Sequence, residues 1–192
     1  MVNALSIAEL LSALTCLWSI WLNTGRKTLG WPIGLFSVLL AAVVYYHAGL
    51  LAECGLQAFY FLSGLYGWWQ WNHAEKTGES DQIQIEFLSW REAAAGLLVS
   101  LLASIILYLL LLQIPRASNP LPDALLTSFS LLAQFWLARR KLENWLLWMG
   151  INSGSVILYF QRELWFFAAL YFLLLLLAFR GYGSWKKSRL IC

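Results

Sequence analysis

Seven apolar segments, each long enough to cross a lipid bilayer, dominate this chain. A transmembrane helix needs about 20 predominantly apolar residues. Of the 192 residues, 60% are hydrophobic and only 12% are charged, which is more apolar surface than a soluble domain of this length can hide. We therefore predict an all-α polytopic membrane protein. Its seven transmembrane helices are expected at about residues 4–23, 31–48, 50–71, 93–114, 122–138, 143–160 and 163–180.

The fifth of these segments, PDALLTSFSLLAQFWLA, is short and polar, so we expect it to pack inside the bundle, away from lipid. The polar stretch 72–92 is the main break in composition, and we interpret it as a cytoplasmic linker. The expected domain organisation is a first three-helix bundle (1–71), this linker, a connecting transmembrane helix (93–114), a second three-helix bundle (122–185) and a basic cytoplasmic tail (186–192).

The basic residues predict the orientation in the membrane. Cytoplasmic loops carry an excess of lysine and arginine. If the N-terminus lies outside and the C-terminus lies in the cytoplasm, only Arg116 and Arg162 of the 13 basic residues fall on the outer side. The net charge of +3 is therefore explained by orientation, and no nucleic-acid partner is expected.

An internal repeat relates the two halves of the chain at an offset of 114 residues. The identities other than leucine are Arg26/Arg140, Lys27/Lys141, Trp31/Trp145, Tyr45/Tyr159, Gly67/Gly181 and Trp71/Trp185. Helices one to three match helices five to seven. Each matched pair crosses the membrane in the same direction, because the fourth helix adds one crossing between the two sets. We predict two parallel three-helix bundles joined by an inverting helix, a 3+1+3 arrangement. Such repeats occur in transporters, with the substrate near the midplane; an old duplication kept for packing is the alternative.

The segment WLLWMGINSGSVILY (145–159) carries four aromatic or polar side chains on one helix face. At 100° per residue, Trp145, Trp148, Asn152 and Tyr159 fall within about 60° of each other. We name this set the α6 stripe, after the sixth predicted helix, α6 (143–160). Trp148 and Asn152 are one turn apart near the middle. An aromatic belt at the headgroups would also explain Trp145, and a buried amide bond between helices would explain Asn152.

Polar and aromatic residues on two other helices could face the same cavity. They are Gln57 and Tyr60 on the third helix and Gln134 on the fifth. Indole and phenol faces attract cationic rings, and amides bind hydroxyls or ring nitrogens. We predict a binding site for a small polar aromatic solute, formed by Trp145, Trp148, Asn152, Tyr159, Gln57, Tyr60 and Gln134.

The sequence contains no motif that indicates catalysis, a metal site or a bound cofactor. It lacks a P-loop, HExxH and Gly-x-Ser-x-Gly, and Cys16, Cys54 and Cys192 are widely scattered. We therefore expect neither an enzyme nor a cofactor-binding protein. No acidic pair lies at mid-membrane depth, which argues against proton or sodium coupling and for facilitated diffusion.

Two blocks of sequence resemble the PnuC family of bacterial vitamin transporters. They are RKLENWLLWMGIN (140–152), continued by Tyr159, and WPIGLFSVLLAAVVYYHAGLLAECGLQAFYFLSGLYGWWQW (31–71). The resemblance implies a seven-helix fold similar to full-length SWEET sugar transporters and a homotrimer in the bacterial inner membrane. It also implies uptake without ion coupling, followed by trapping when a cytoplasmic kinase phosphorylates the vitamin. Trp148, Asn152 and Tyr159 would form one wall of the site.

The resemblance leaves the substrate open, because the polar residue at position 152 varies in the family. Nicotinamide riboside is the first hypothesis, thiamine is the rival, and other relatives carry riboflavin or deoxynucleosides. Nicotinamide riboside and thiamine both present a cationic aromatic ring and a hydroxyl, so the predicted pocket does not separate them. A membrane subunit that binds a vitamin without transporting it is the alternative class, against which the duplicated bundle argues.

Overall fold

The computed structural model describes residues 4–47, 51–77, 84–113 and 120–189. Within these ranges the chain forms seven α-helices, which confirms the predicted all-α class and helix number. They are α1 (Ala4–Thr24), α2 (Gly30–His47), α3 (Leu51–Thr77), α4 (Trp90–Leu111), α5 (Pro120–Ala138), α6 (Asn144–Gln161) and α7 (Trp165–Arg189). The turn at 48–50, the middle of the predicted linker (78–83), the loop 114–119 and residues 190–192 of the predicted tail lie outside the described residues.

The helices differ from the predicted spans mainly at their ends. Helix α3 continues to Thr77, so the first six residues of the predicted linker are helical, and α7 continues to Arg189. An apolar window identifies only the part of a helix that lies in hydrocarbon, whereas backbone hydrogen bonding continues into the polar layer. The start of α4 is set by Ser89, whose side chain accepts a hydrogen bond from the Glu92 backbone while the Glu92 carboxylate accepts one from Ser89 N.

Five of the described helices, α1, α2, α4, α5 and α7, are long and apolar enough to cross a membrane by length and composition alone. Helices α3 and α6 are less apolar because they carry amides, small residues and indoles, including candidate residues such as Gln57 and Asn152. In α5, 44% of the residues in its most apolar 18-residue stretch are buried within the chain, against 11% to 22% in the other four helices. Helix α5 is therefore the most buried of these five, in the direction of the expectation that it packs inside the bundle.

The chain forms two compact units. Unit 1 comprises residues 1–85 and 180–192, and therefore contains α1, α2, α3 and the C-terminal end of α7. Unit 2 comprises residues 86–179, with α4, α5, α6 and the rest of α7. The 3+1+3 order, which concerns how the two bundles are related, stays a prediction.

Two turns at equivalent positions of the repeat have the same backbone geometry. Arg26 follows α1 with φ of 59°, and Arg140 follows α5 with φ of 60°. Lys27 N donates to Leu22 O at 3.1 Å, and Lys141 N donates to Trp136 O at 2.9 Å. Together with a second, shorter-range bond from each arginine, this is the Schellman pattern. Its hydrogen bonds offset the cost of about 1–2 kcal/mol for a left-handed residue that has a side chain.

Three indoles form the buried core of unit 1. The ring centroids of Trp31 and Trp71 lie 5.4 Å apart, and those of Trp71 and Trp185 lie 5.9 Å apart. All three side chains are at most 3% exposed. Trp185 Nε1 donates to Asn23 O at 3.1 Å, which ties the end of α7 to the end of α1. Gly67 faces the Trp31 ring so closely that a Cβ there would overlap it.

In unit 2, the end of the predicted linker is attached to the turn between α5 and α6. Glu86 N donates to Arg140 O at 3.1 Å, and Glu86 O accepts from Leu142 N at 2.9 Å, forming a parallel bridge. The Lys141 ammonium lies 2.9 Å from the Glu86 carboxylate and 3.2 Å from that of Glu92, and its side chain is only 7% exposed. Leu88 N donates to the Glu143 carboxylate at 3.0 Å. The residues just before α4 therefore fix the turn from which α6 starts.

We expect Gly67→Ala to lower the free energy of unfolding by about 1–3 kcal/mol, because the added Cβ would displace the Trp31 ring. The matched control is Gly55→Ala on the same helix, where a Cβ meets nothing within 4 Å. That change should be neutral, or stabilising by up to about 1 kcal/mol. Thermal unfolding of purified protein in detergent measures both, and equal melting temperatures for the two variants would contradict the packing described.

We expect the double variant Glu86→Gln, Glu92→Gln to be less stable than the wild type, and Lys141→Gln to lose less stability than the double variant. The double variant removes both counter-charges of the buried Lys141 ammonium and leaves it the contact with Phe87 O at 3.5 Å, whereas Lys141→Gln leaves two partly exposed carboxylates that water can solvate. Burial lowers the pKa of Lys141, but the hydrogen bonds and charges of Glu86 and Glu92 outweigh it and raise the pKa above 10.5. The contribution to stability should thus persist through neutral pH and disappear only as pH rises above about 10.5.

Thermal unfolding at neutral and at strongly alkaline pH tests this ion-pair cluster. Lys187→Gln, which removes an exposed lysine from the end of α7, is the control and should leave the melting temperature unchanged. A larger loss in Lys141→Gln than in the double carboxylate variant would contradict the argument.

Candidate ligand-binding site

The structure places all four residues of the α6 stripe on α6 (Asn144–Gln161). At 1.5 Å rise per residue, Trp148 and Asn152 are about 6 Å apart in height, while Trp145 and Tyr159 are about 21 Å apart. The first residue of α6, Asn144, is fully buried, and its side-chain amide donates to Lys141 O at 2.6 Å. The turn between α5 and α6, to which the linker is attached, therefore sets the position of the stripe along the axis of α6.

Asn152 has a buried carbonyl oxygen with no hydrogen-bond partner among the described residues. Its side chain is only 3% exposed. Asn23, Trp31 and Asn144 also have buried polar atoms without a partner in the described part of the chain, but they lie within the first or last turn of their helices. Asn152 lies in the middle of α6. An unsatisfied buried acceptor costs about 1–3 kcal/mol, so this oxygen is a candidate contact for a bound ligand.

Only part of the α6 stripe is repeated in the first half of the chain. The counterparts of its four residues are, in order, Trp31, Gly34, Val38 and Tyr45. Trp145 and Trp31 are buried alike, at 1% and 3% exposure. Trp148 and Asn152 therefore replace a glycine and a valine, and they are the residues that the architecture of the repeat does not require.

The position equivalent to Trp148 is closed by direct helix contact in unit 1. A Cβ on Gly34 would lie 2.7 Å from Ser19 Oγ, so α1 occupies the space that a side chain at position 34 would need. In unit 2 the half-buried indole of Trp148 stands at this position, and the residue equivalent to Ser19 is the fully buried Ala133. The second half thus presents an aromatic face where the first half only packs.

Tyr159, at the other end of the stripe, stacks on two rings of α7. Its ring centroid lies 5.4 Å from that of Phe167 and 5.2 Å from that of Tyr171, with interplanar angles of 26° and 24°. These partners were not predicted from the sequence, although their spacing of four residues puts them on one face of α7. Ser155, which is 3% exposed and lies one turn beyond Asn152, is a further buried polar residue that the sequence prediction omitted.

The candidates on α5 and α3 have less distinctive surroundings. Gln134 is half-buried on α5, in the same unit as the stripe. Four residues earlier on α5, the Ser130 hydroxyl already has a hydrogen-bond partner, because Ser130 Oγ donates to Leu126 O at 2.7 Å. Gln57 and Tyr60 are half-buried on α3, in unit 1. The participation of these three residues in the site stays a prediction.

The stripe has side chains that are suited to binding a ligand. Trp148 provides an aromatic face and Asn152 provides a buried hydrogen-bond acceptor. A ligand that combines a flat or cationic ring with a hydroxyl or amide N–H would satisfy both. Within the described ranges, no group of three or more His, Cys, Asp or Glu side chains is placed to hold a metal ion.

Comparison with known proteins gives consistent matches over nearly the whole chain. The family model described as nicotinamide mononucleotide transporter matches residues 6–187. The nicotinamide riboside transporter PnuC of Escherichia coli is 26% identical over 208 residues, covering 96% of this chain and 87% of that protein. The riboflavin/roseoflavin transporter RibM of Streptomyces davaonensis is 27% identical over 161 residues, covering 83% and 75%.

A solved structure has the same fold. The crystal structure of the vitamin B3 transporter PnuC superposes with a TM-score of 0.76 at 23% sequence identity, covering 95% of this chain and 81% of that one. The predicted seven-helix fold is confirmed by this match.

We expect Asn152→Leu to leave the ligand-free protein as stable as the wild type, within about 0.5 kcal/mol, because it removes an acceptor that has no partner in the described chain. Asn144→Leu on the same helix should lose about 1 kcal/mol, because its amide hydrogen bond to Lys141 O is used. Thermal unfolding of the two variants without ligand makes the comparison. A loss of stability in Asn152→Leu that equals the loss in Asn144→Leu would indicate a packing role for Asn152.

Proposed function

The chain belongs to the nicotinamide mononucleotide transporter family, and from that membership we propose that it carries nicotinamide riboside across a bacterial inner membrane by facilitated diffusion. The observation that carries the proposal is the mid-helix Asn152 oxygen, buried and without a partner among the described residues, one turn from the half-buried Trp148. The E. coli relative is named for transport of this same vitamin.

The chemistry of the stripe supports this choice of substrate. Nicotinamide riboside has a cationic pyridinium ring, which an indole face attracts by about 0.5–2 kcal/mol. Its ribose hydroxyls and carboxamide N–H groups can donate hydrogen bonds to the side-chain oxygen of Asn152. We propose that Trp148 stacks on the ring and that Asn152 accepts one of these hydrogen bonds. Tyr159, Trp145, Gln57, Tyr60 and Gln134 are proposed as the remaining lining residues.

We propose a carrier that moves its substrate without ion coupling, with its N-terminus outside and its C-terminus in the cytoplasm. The basic turns Arg26-Lys27 and Arg140-Lys141 would then lie on the cytoplasmic side, as the positive-inside rule requires. Phosphorylation by a cytoplasmic kinase would trap the vitamin and keep the inward gradient. A homotrimer is proposed from the family resemblance. The duplicated bundle supports a transporter over a binding subunit that does not transport, since one bundle would suffice for capture.

Riboflavin is a second candidate, because the Streptomyces relative is named as a riboflavin/roseoflavin transporter. Riboflavin has a large, uncharged ring system, whereas nicotinamide riboside and thiamine are cationic. A cation–π contact with Trp148 therefore favours the two cations. Comparison of the three vitamins in one assay separates these substrates.

Purified protein in liposomes should take up labelled nicotinamide riboside down its concentration gradient, and collapsing proton and sodium gradients should not change the rate. Trp148→Ala and Asn152→Ala should each weaken binding about five- to thirty-fold, as expected for losing a cation–π contact or a hydrogen bond in a buried site. Gln161→Ala, which removes an exposed amide at the end of the same helix, is the control and should bind normally. Absence of uptake for nicotinamide riboside, thiamine and riboflavin alike would exclude the transporter; unchanged affinity in both stripe variants would exclude the site.

A further inference from the structure

Lys27 and Lys141 occupy equivalent positions in the repeat, yet their charges are neutralised differently. Both follow a left-handed arginine in a Schellman turn. Lys141 is buried between the carboxylates of Glu86 and Glu92. Lys27 is exposed, and no described carboxylate lies within salt-bridge distance of it. The same turn therefore has its counter-charge inside the chain in unit 2 and lacks one among the described residues of unit 1.

Lys27 and Arg180 both lie near the ring of Trp21. Lys27 Nζ lies 6.0 Å from the ring centroid of Trp21, and Arg180 Cζ lies 5.3 Å from the same centroid. Arg180 is exposed and also has no carboxylate partner among the described residues. The end of α7 that carries Arg180 is held against α1, because Trp185 Nε1, further along α7, donates to Asn23 O. Two like charges near one ring repel each other, so an anion bound close to both would relieve this repulsion.

The pair of cations lies at the end of a long apolar surface on α1. Ile7, Leu11, Leu14, Trp18 and Trp21 follow the helical spacing of three and four residues, and each is between 42% and 54% exposed. From Trp21 to Ile7 this face is about 21 Å long, comparable to an extended lipid acyl chain. Trp21 is in the last turn of α1, where exposed tryptophans mark the level of the lipid headgroups.

We propose that Lys27, Arg180 and Trp21 bind the phosphate group of an anionic phospholipid whose acyl chain lies along the exposed face of α1. Basic pockets between transmembrane helices bind anionic headgroups in this manner. The bound group is a phosphate, and a soluble phosphate would satisfy the same two cations. The apolar face that continues from Trp21 favours the lipid, since a soluble anion leaves that face unused. The site goes beyond the transport function and does not depend on which vitamin is carried.

Native mass spectrometry of the purified protein in detergent tests the site with phosphatidylglycerol and phosphatidylcholine of the same acyl chains. The wild type should bind phosphatidylglycerol more tightly. Because each surface cation strengthens binding of an anionic lipid about fivefold, Lys27→Gln with Arg180→Gln should weaken it about 25-fold. Lys27→Arg with Arg180→Lys, which keeps both charges, should retain the preference and shows that the substitutions are tolerated.

Arg91→Gln is the matched control. Arg91 Cζ lies 5.7 Å from the ring of the exposed Trp90, so it is also a cation over an interfacial tryptophan, but only one cation approaches that ring among the described residues. This variant should keep the wild-type affinity for phosphatidylglycerol. Equal affinities in the wild type and the Lys27/Arg180 glutamine variant would overturn the proposal. Displacement of the lipid by millimolar inorganic phosphate would also overturn it, by assigning the two cations to a soluble phosphate.

Discussion

A polar group inside a bilayer must find its hydrogen-bond partner within the protein, because hydrocarbon offers none. The described helices meet this requirement locally: Ser19 Oγ donates to Gly30 O, and Ser104 and Ser130 donate to carbonyls one turn earlier. The unsatisfied atoms of Asn23, Trp31 and Asn144 lie in the first or last turn of their helices, close to the turns that join them. Asn152, in contrast, lies in the middle of α6. Its oxygen is thus the described polar group for which we propose a ligand as the partner.

The internal repeat separates residues that build the fold from residues that we propose to bind the ligand. Trp31 and Trp145 are both buried where a helix leaves a Schellman turn, and the left-handed Arg26 and Arg140 form those turns. The same local structure needs the same residues in both halves. The proposed ligand contacts of Trp148 and Asn152 come from the second half alone, so the first half does not need them. This explains why the first half has glycine and valine at the two positions where α6 has an indole and an amide.

Much of this structure could be predicted from the sequence because its signals are local. Apolar length gave the number of helices, and a period of 3.6 residues put the α6 stripe on one face. Contacts between distant residues could not be predicted in this way. Phe167 and Tyr171 stack on Tyr159 only because α7 folds back beside α6, and Asp123 pairs with Arg162 only because α5 starts where α6 ends. The participation of Gln57 and Tyr60 remains untested for the same reason, since it requires α3 to face α6.

The acidic residues of the linker are the clearest example of contacts between distant residues that could not be predicted from the sequence. Acidic residues carry little weight in topology rules, so Glu86 and Glu92 have no role at that level. In the structure they lie about fifty residues from Lys141 along the chain and neutralise it at the first turn before α6. Because α6 begins at that turn, the charge of the linker helps to set the height of Trp148 and Asn152. The equivalent turn in unit 1 carries the same lysine with no described carboxylate beside it, and the phosphate of an anionic lipid is the counter-charge that we propose for it.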